Sequence, residues 1–282
     1  MYFDFSGYSD MAIGLARMFW IRLPLNFDSP YKAVNIIEFW RRWHMTLSRF
    51  LRDYLYFPLG GNRKGAMRRY TNLITVMLLG GIWHGAGWTF AVWGLLHGAY
   101  LFVNHAWHDG RARMGLASRR STWAGRALSQ GLTLFAVAIA WVFFRSDDLP
   151  TASHVLQSMF GINGVSLLGA LRDVFSPLQI GWLSSYGIRF DGMFYNGLAD
   201  FDTGIFWVFA LFFVALFFPN TQTLMRWYKP TIGVYNRFGV LANGAVRWRI
   251  NLLCGMIVGG LLFLACTKWF SAAPSEFIYF NF

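Results

Sequence analysis

The 282-residue chain carries a formal net charge of +12, and 56% of its residues are hydrophobic while only 13% are charged. Soluble domains are about 45–50% apolar and about 25% charged, so this composition excludes an ordinary water-soluble domain. The basic residues form separate clusters between long apolar stretches, a distribution that argues against nucleic-acid binding. We expect an integral membrane protein whose basic clusters contact anionic lipid headgroups.

Residues 1–69 are predicted to lie in the membrane interface or to re-enter the membrane rather than to cross it. The apolar stretch at residues 9–21 is too short and too charged for a complete span, which needs roughly 20 apolar residues. Ser29 and Pro30 are predicted to end this segment. We therefore interpret it as a re-entrant or interfacial helix.

Residues 36–54 have the pattern of one continuous amphipathic helix. Apolar and aromatic side chains recur at helical spacing on one face, and Asn35 followed by Glu38 resembles an N-terminal cap with its reciprocal partner. The opposite face is predicted to carry the basic side chains of Arg41, Arg42, Arg49 and Arg52. Such a helix should lie in the inner interface of the membrane, and the Pro/Gly/Asn-rich residues 58–62 should form the turn that follows it.

Residues 70–108 are predicted to form a hairpin that is broken inside the membrane. The first leg, residues 70–83, would be about 21 Å long as a helix, which is short of the roughly 30 Å hydrocarbon core. The break at residues 85–87 should therefore lie at membrane depth, and a histidine placed there, His84, is a candidate functional residue. The alternative is a structural histidine that bonds a backbone carbonyl group at the break.

Three further spans are predicted within residues 109–282, because charged residues are lacking inside the intervals 126–145, 202–226 and 249–268. The connecting segments alternate between basic and acidic, which is the positive-inside pattern. It places the basic clusters in the cytoplasm, and it places the acidic segment 146–203 and the C-terminus outside.

The predicted fold is thus an all-α integral membrane protein with a single membrane domain over residues 1–282. It has about five transmembrane legs, an interfacial amphipathic helix and a broken intramembrane hairpin.

Five segments of the chain carry a family match, and they are residues 3–14, 39–48, 51–63, 80–85 and 277–282. In this order they resemble motifs of the membrane-bound O-acyltransferases, and the turn at residues 58–63 favours the alginate O-acetylase branch over the branch that transfers D-alanine to teichoic acids. In this family the first motif falls near the middle of the chain, so we expect this chain to lack the N-terminal half.

The resemblance implies transfer of acetyl from cytoplasmic acetyl-CoA towards the hydroxyl groups of an exported, alginate-like polysaccharide. The acceptor would be reached directly or through an extracytoplasmic acetyltransferase partner, and the location would be the bacterial inner membrane. His84 would be the base that accepts the proton of the acceptor hydroxyl. His44 would be a second active-site residue that polarises the thioester carbonyl group or orients the donor, although a lone histidine on the apolar face of a helix is also consistent with a structural role.

The phosphates of the donor are expected to contact Arg52, Asp53, Asn62 and Arg63 at the inner face. The alternative for these residues is interfacial snorkelling and turn structure. His97, His105 and His108 lack acidic or cysteine partners, so no metal is expected; His97, beside Gly98, is also consistent with lining the same cavity as His84. Two other functions stay open at this point: a membrane transporter or channel, and a catalytically silent truncated scaffold.

Overall fold

The computed structural model describes residues 2–115, 122–168, 172, 174–192, 201–232 and 251–271. Helices account for most of the described chain, which confirms the all-α prediction, and strands account for very little of it. The helices are α1 (Tyr2–Met18), α2 (Ile36–Trp40), α3 (Met45–Leu51), α4 (Gly65–His84), α5 (Trp88–Arg113), α6 (Trp123–Arg145), α7 (Leu149–Met159), α8 (Pro177–Ser185), α9 (Phe201–Phe217), α10 (Thr221–Met225) and α11 (Leu252–Ser271). Two short strands, β1 (Val165–Leu168) and β2 (Ile188–Gly192), pair in parallel.

The described parts of the chain belong to two compact units. The first contains Met1–Ala33, Ile37–Asp53 and Ala215–Phe282, and the second contains Val34–Ile36 and Tyr54–Val214. Helices α1 and α3 therefore belong to the first unit, whereas the hairpin of α4 and α5 belongs to the second.

Helix α1 occupies a different range from the one predicted. It begins at Tyr2 rather than near Ser9, and Asp4 in its first turn interacts favourably with the partial positive charge of a helix N-terminus. It ends at Met18, before Trp20, which has a left-handed backbone (φ 61°). The prediction that Ser29 and Pro30 end this segment is therefore wrong, because the helix stops about ten residues earlier.

The prediction of one continuous helix over residues 36–54 is also wrong, because the chain breaks between α2 and α3. His44 has a left-handed backbone, with φ 42° and ψ 55°, which a right-handed helix cannot accommodate. The next amide, the N–H of Met45, donates to the carbonyl oxygen of Asn26 (2.9 Å) rather than to a residue one turn earlier. The hydrogen bond from Met45 to Asn26 thus takes the place of the hydrogen bond that would continue the helix.

Arg42 was predicted on the basic outer face of that helix, but its side chain is buried, with 7% of the residue exposed. Its guanidinium forms an ion pair with Glu38 (2.7 Å) and donates to the carbonyl oxygen of Asp28 (3.3 Å). A buried charge is strongly unfavourable unless it is paired and hydrogen-bonded, and these contacts meet that requirement. The break after α2 turns Arg42 inward, towards the segment that also carries Asn26.

Helix α4 contains 20 residues and is about 30 Å long, so the predicted 21 Å leg was too short. The helix begins at Gly65 instead of Tyr70, and its first turns include Arg68 and Arg69. The prediction missed this extension because it began the helix only after the last basic residue. The break falls at residues 85–87, between His84 at the end of α4 and Trp88 at the start of α5.

Three glycines allow the backbones of α4 and α5 to approach closely. A Cβ atom on Gly81 would overlap the carbonyl oxygen of Phe90, and one on Gly94 would overlap the carbonyl oxygen of Met77. A Cβ atom on Gly98 would lie 2.9 Å from the Cα of Ile74. Small residues at helix interfaces permit this approach, and it fixes the end of α4 against α5.

Polar contacts hold the opposite end of the hairpin. Arg69 on α4 forms an ion pair with Asp109 on α5, and the Tyr70 hydroxyl donates to the same carboxylate (2.9 Å). The amide nitrogen of Asn72 donates to the carbonyl oxygens of Leu59 (3.2 Å) and Gly61 (3.0 Å). These last two bonds attach the turn that precedes α4 to the side of the helix.

The predicted count of about five transmembrane legs is not confirmed. By length and composition, one helix in the described residues is able to cross a membrane, Trp123–Arg145. Phe206–Phe217 and Thr221–Tyr228 qualify only as a pair bent by 44°, and Leu252–Lys268 is shorter. The bend falls next to Pro219, which has no backbone N–H and cannot continue a helix.

Candidate active site

Aromatic rings from three helices surround His84 at the end of α4. The ring centroid of His84 lies 5.2 Å from that of Trp93 on α5 and 5.1 Å from that of Phe144 on α6, in edge-to-face geometry. Trp83 makes a third ring contact, at 5.0 Å. His84 is buried, with 5% of the residue exposed, so the imidazole lies inside an aromatic enclosure.

The glycine that follows His84 is required by this enclosure. A Cβ atom on Gly85 would lie 2.5 Å from the ring of Phe90, which itself packs edge-to-face on Phe144 with centroids 5.3 Å apart. The sequence Trp83-His84-Gly85 therefore combines a helix end, a buried imidazole and a position where a Cβ atom would displace the ring of Phe90. This local requirement explains why these residue types follow one another at the break.

His97 lies one turn further along α5 than Trp93 and also contacts its ring. Its ring centroid is 4.8 Å from that of Trp93, and only 1% of the residue is exposed. Trp93 thus contacts both buried imidazoles of the second unit. That His97 lines a cavity with His84 stays a prediction.

Polar side chains lie next to the imidazole of His44. Its Nδ1 lies 3.1 Å from the Oδ1 of Asn26, and the hydroxyl of Thr46 lies 3.4 Å from the same nitrogen. The ring of Phe5 on α1 packs against it edge-to-face, with centroids 4.9 Å apart. His44 is half-buried, and its left-handed backbone is of the kind that concentrates at functional sites.

The four predicted donor contacts fall in both units. Arg52 and Asp53 belong to the first unit, and they form an exposed ion pair in which Arg52 Nε donates to Asp53 (2.7 Å). That hydrogen bond from Arg52 lowers the pKa of the Asp53 carboxyl below its usual value. Asn62 and Arg63 belong to the second unit, in the exposed turn before α4.

Two asparagines were missed by the sequence analysis. Asn26 contacts His44, and Asn72 attaches the turn of Asn62 and Arg63 to α4. Neither lies in a motif of recognised spacing, because their partners are 18 and 11 residues away in sequence. Buried polar groups are nearly always hydrogen-bonded. Asn72 is only 3% exposed, but that burial, which signals its role, is visible only in the folded structure.

A family model for the membrane-bound O-acyltransferases, MBOAT, matches residues 1–143, just over half of the chain. The protein belongs to the membrane-bound O-acyltransferase family. The predicted resemblance is thereby confirmed, and family membership makes the chain a membrane protein.

Curated relatives place the chain near several transferases. It is 54% identical over 167 residues to a peptidoglycan O-acetyltransferase of Helicobacter pylori, covering 59% of this chain and 31% of the relative. It is 42% identical over 203 residues to a probable alginate O-acetylase of Pseudomonas aeruginosa, covering 70% and 37%. A teichoic acid D-alanyltransferase of Streptococcus thermophilus is 31% identical over 158 residues, covering 51% and 38%. The chain therefore spans roughly a third of the length of these MBOAT relatives.

Proposed function

We propose that this MBOAT chain takes part in O-acetyl transfer from cytoplasmic acetyl-CoA to a hydroxyl group of an exported polysaccharide. The observation that carries the proposal is the position of His84, at the broken end of α4 and inside an aromatic enclosure. Two relatives are named as O-acetyltransferases or O-acetylases of glycans, which supports acetyl as the group and a glycan hydroxyl as the acceptor.

In the proposed step, the oxygen of the acceptor hydroxyl attacks the carbonyl carbon of the thioester while the imidazole of His84 takes the hydroxyl proton. A hydroxyl group is a poor nucleophile until a base accepts its proton. The C–S bond then breaks, and the departing thiolate takes the proton from the imidazolium. The products are an acetyl ester and CoA thiol, so the base is regenerated without any net change in protonation.

We assign His44 a second role in the same reaction, orienting the donor or polarising its carbonyl group. Arg52, Asp53, Asn62 and Arg63 are the proposed contacts of the donor phosphates. The ion pair of Arg52 with Asp53 means that a phosphate must compete with the carboxylate for this guanidinium.

We further propose a multi-pass protein of the bacterial inner membrane with the basic segments in the cytoplasm and the C-terminus outside. The distribution of lysine and arginine supports this orientation. The acetyl group reaches the polysaccharide directly at the outer side or through an extracytoplasmic acetyltransferase that receives it there.

The O-acetyl content of exported polysaccharide tests the proposal in cells that carry substitutions at the gene's own locus. His84→Ala should abolish acetylation while the protein stays in the membrane at wild-type level. His108→Ala is the matched control, because His108 is exposed in the last turns of α5, and it should leave acetylation unchanged. Full acetylation in His84→Ala cells would contradict the role of His84 and favour a transporter or a silent scaffold.

A further inference from the structure

The side chain of Asn26 lies at the centre of a small polar network around His44. Its Oδ1 atom is 3.1 Å from His44 Nδ1 and accepts from the Thr46 hydroxyl (2.9 Å) and from the Thr46 backbone N–H (3.4 Å). Its Nδ2 atom donates to the hydroxyl of Ser9 (3.4 Å). The amide therefore connects α1 to the start of α3.

The backbone N–H of Thr46 determines which way this amide faces. A backbone N–H is only a donor, so the atom that faces it must be the carbonyl oxygen of Asn26 and not the NH₂ group. An amide oxygen in turn is only an acceptor. The ring nitrogen of His44 that faces this oxygen, Nδ1, must then carry its proton.

This arrangement fixes the chemistry of the opposite ring nitrogen. In a neutral imidazole one nitrogen is a donor and the other is an acceptor, so a proton on Nδ1 makes Nε2 the basic atom of His44. Nε2 is then unsuited to donate to a thioester carbonyl oxygen unless the ring takes up a second proton. Of the two roles proposed for His44, the geometry therefore disfavours polarising the carbonyl group and favours orienting the donor, with Nε2 as a hydrogen-bond acceptor.

Asn26 also holds the backbone on which the ring is carried. Its carbonyl oxygen accepts from the N–H of Met45 (2.9 Å), the residue directly after His44. Through this bond and the side-chain contact, Asn26 restrains both the strained left-handed backbone of His44 and the imidazole ring. One residue thus sets the position and the proton location of His44 together.

We propose that Asn26 is a positioning residue that holds His44 in the Nδ1–H tautomer, so that His44 Nε2 accepts a hydrogen bond from the bound donor and orients it while His84 takes the hydroxyl proton. This inference rests on the proposed function, in which His44 belongs to the acyl-transfer site. Outer partners of functional histidines fix the tautomer and the orientation of the ring in this manner.

The test compares Asn26→Asp with Asn26→Ala through the pH dependence of CoA release from acetyl-CoA by inverted membrane vesicles. An aspartate keeps the acceptor oxygen but adds a negative charge that favours the protonated ring of His44. The acidic limb of the pH–rate profile should therefore shift to higher pH by about one unit. The plateau rate of Asn26→Asp should stay within about threefold of wild type. Asn26→Ala removes the acceptor and should lower kcat by about tenfold or more, with KM for acetyl-CoA changed less than about twofold.

Ser9→Ala is the matched control, because it removes only the partner of the Asn26 amide nitrogen. Its rate should fall by less than about threefold, with an unshifted pH profile. His44→Ala, measured in the same vesicles, distinguishes a failure of the Asn26 role from a failure of the His44 assignment. An inactive His44→Ala beside wild-type kinetics in both Asn26 variants would overturn the role of Asn26 alone. A fully active His44→Ala would overturn the assignment of His44 in the proposed function and the Asn26 inference with it.

Discussion

The two candidate histidines lie in opposite kinds of surroundings. His84 is enclosed by the rings of Trp93 on α5 and Phe144 on α6, and glycines bring its own helix, α4, close to α5. His44 is half-buried in hydrogen bonds centred on Asn26. A ring held by packing depends on the volume of its neighbours, whereas a ring held by hydrogen bonds depends on donors and acceptors. Substitutions that change volume should therefore affect the first site, and substitutions that change hydrogen bonding should affect the second.

The largest effect is expected when the enclosure of His84 loses its central ring. Trp93→Ala removes a side chain that is 4% exposed and contacts both His84 and His97, and it should lower the free energy of unfolding by about 4 kcal/mol. Acetyl transfer should fall with it, because the His84 ring loses its support. Unfolding of purified protein in mixed micelles measures the first effect. Trp123→Ala is the control, since Trp123 is 84% exposed, and an equal loss in both variants would contradict a specific enclosure.

Adding volume to the hairpin should have the next largest effect. Gly94→Ala places a methyl group against the carbonyl oxygen of Met77, so α5 must move away from α4. This should lower the free energy of unfolding by about 3 kcal/mol. Gly110→Ala is the matched control on the same helix, because nothing lies within 4 Å of a Cβ atom there. Thermal unfolding of the two variants side by side makes the comparison, and equal melting temperatures would show that the close approach is not required.

In the segment that carries His44, the loss of a charged group should destabilise the protein more than a change in side-chain volume. Glu38→Ala removes the carboxylate that pairs with buried Arg42, and it should lower the free energy of unfolding by about 2 kcal/mol, since Glu38 is partly exposed. Glu38→Gln keeps an acceptor for the guanidinium and should lose only about half as much. Chemical unfolding of both variants gives the ranking, and a larger loss in Glu38→Gln would contradict the pairing.

The smallest effect separates function from stability at His44 itself. His44→Gly and His44→Ala both remove the imidazole and its contacts, but only glycine relieves the left-handed backbone (φ 42°), so His44→Gly should exceed His44→Ala in free energy of unfolding by about 1 kcal/mol while acetyl transfer is lost. His44→Ala should lose the same activity but keep the strain, because alanine keeps a Cβ atom. Melting temperatures and vesicle assays on the two variants test this together. A His44→Gly protein no more stable than His44→Ala would show that the backbone at this position is not strained.

The sequence predicted those features that are set by local pattern. The break after His84 and the turn at Gly60 and Gly61 follow from glycines in positions that other residues tolerate poorly, and Gly60 and Gly61 have positive φ angles of 102° and 57°. The helical class follows from long apolar stretches. The motifs that resemble those of the family point to His84 and His44 as site residues, and that assignment stays a prediction.

The features that were mispredicted depend on contacts between distant residues. The break at His44 requires bonds from Asn26, 18 residues earlier, and Arg42 turns inward because Asp28 and Glu38 bind it there. Periodicity alone continued the helix through both positions. The helix α4 likewise extends back to Gly65 through Arg69, whose charge is paired with Asp109, 40 residues away.

The rate of acetyl transfer from labelled acetyl-CoA by inverted membrane vesicles tests the central claim most directly, with His84→Gln compared with wild type at equal protein content. Glutamine preserves much of the side-chain volume but is not a base, so the enclosure should remain while proton transfer is lost. The account predicts a rate at least about 100-fold below that of wild type. A His84→Gln rate equal to that of wild type would contradict the assignment of His84 as the base.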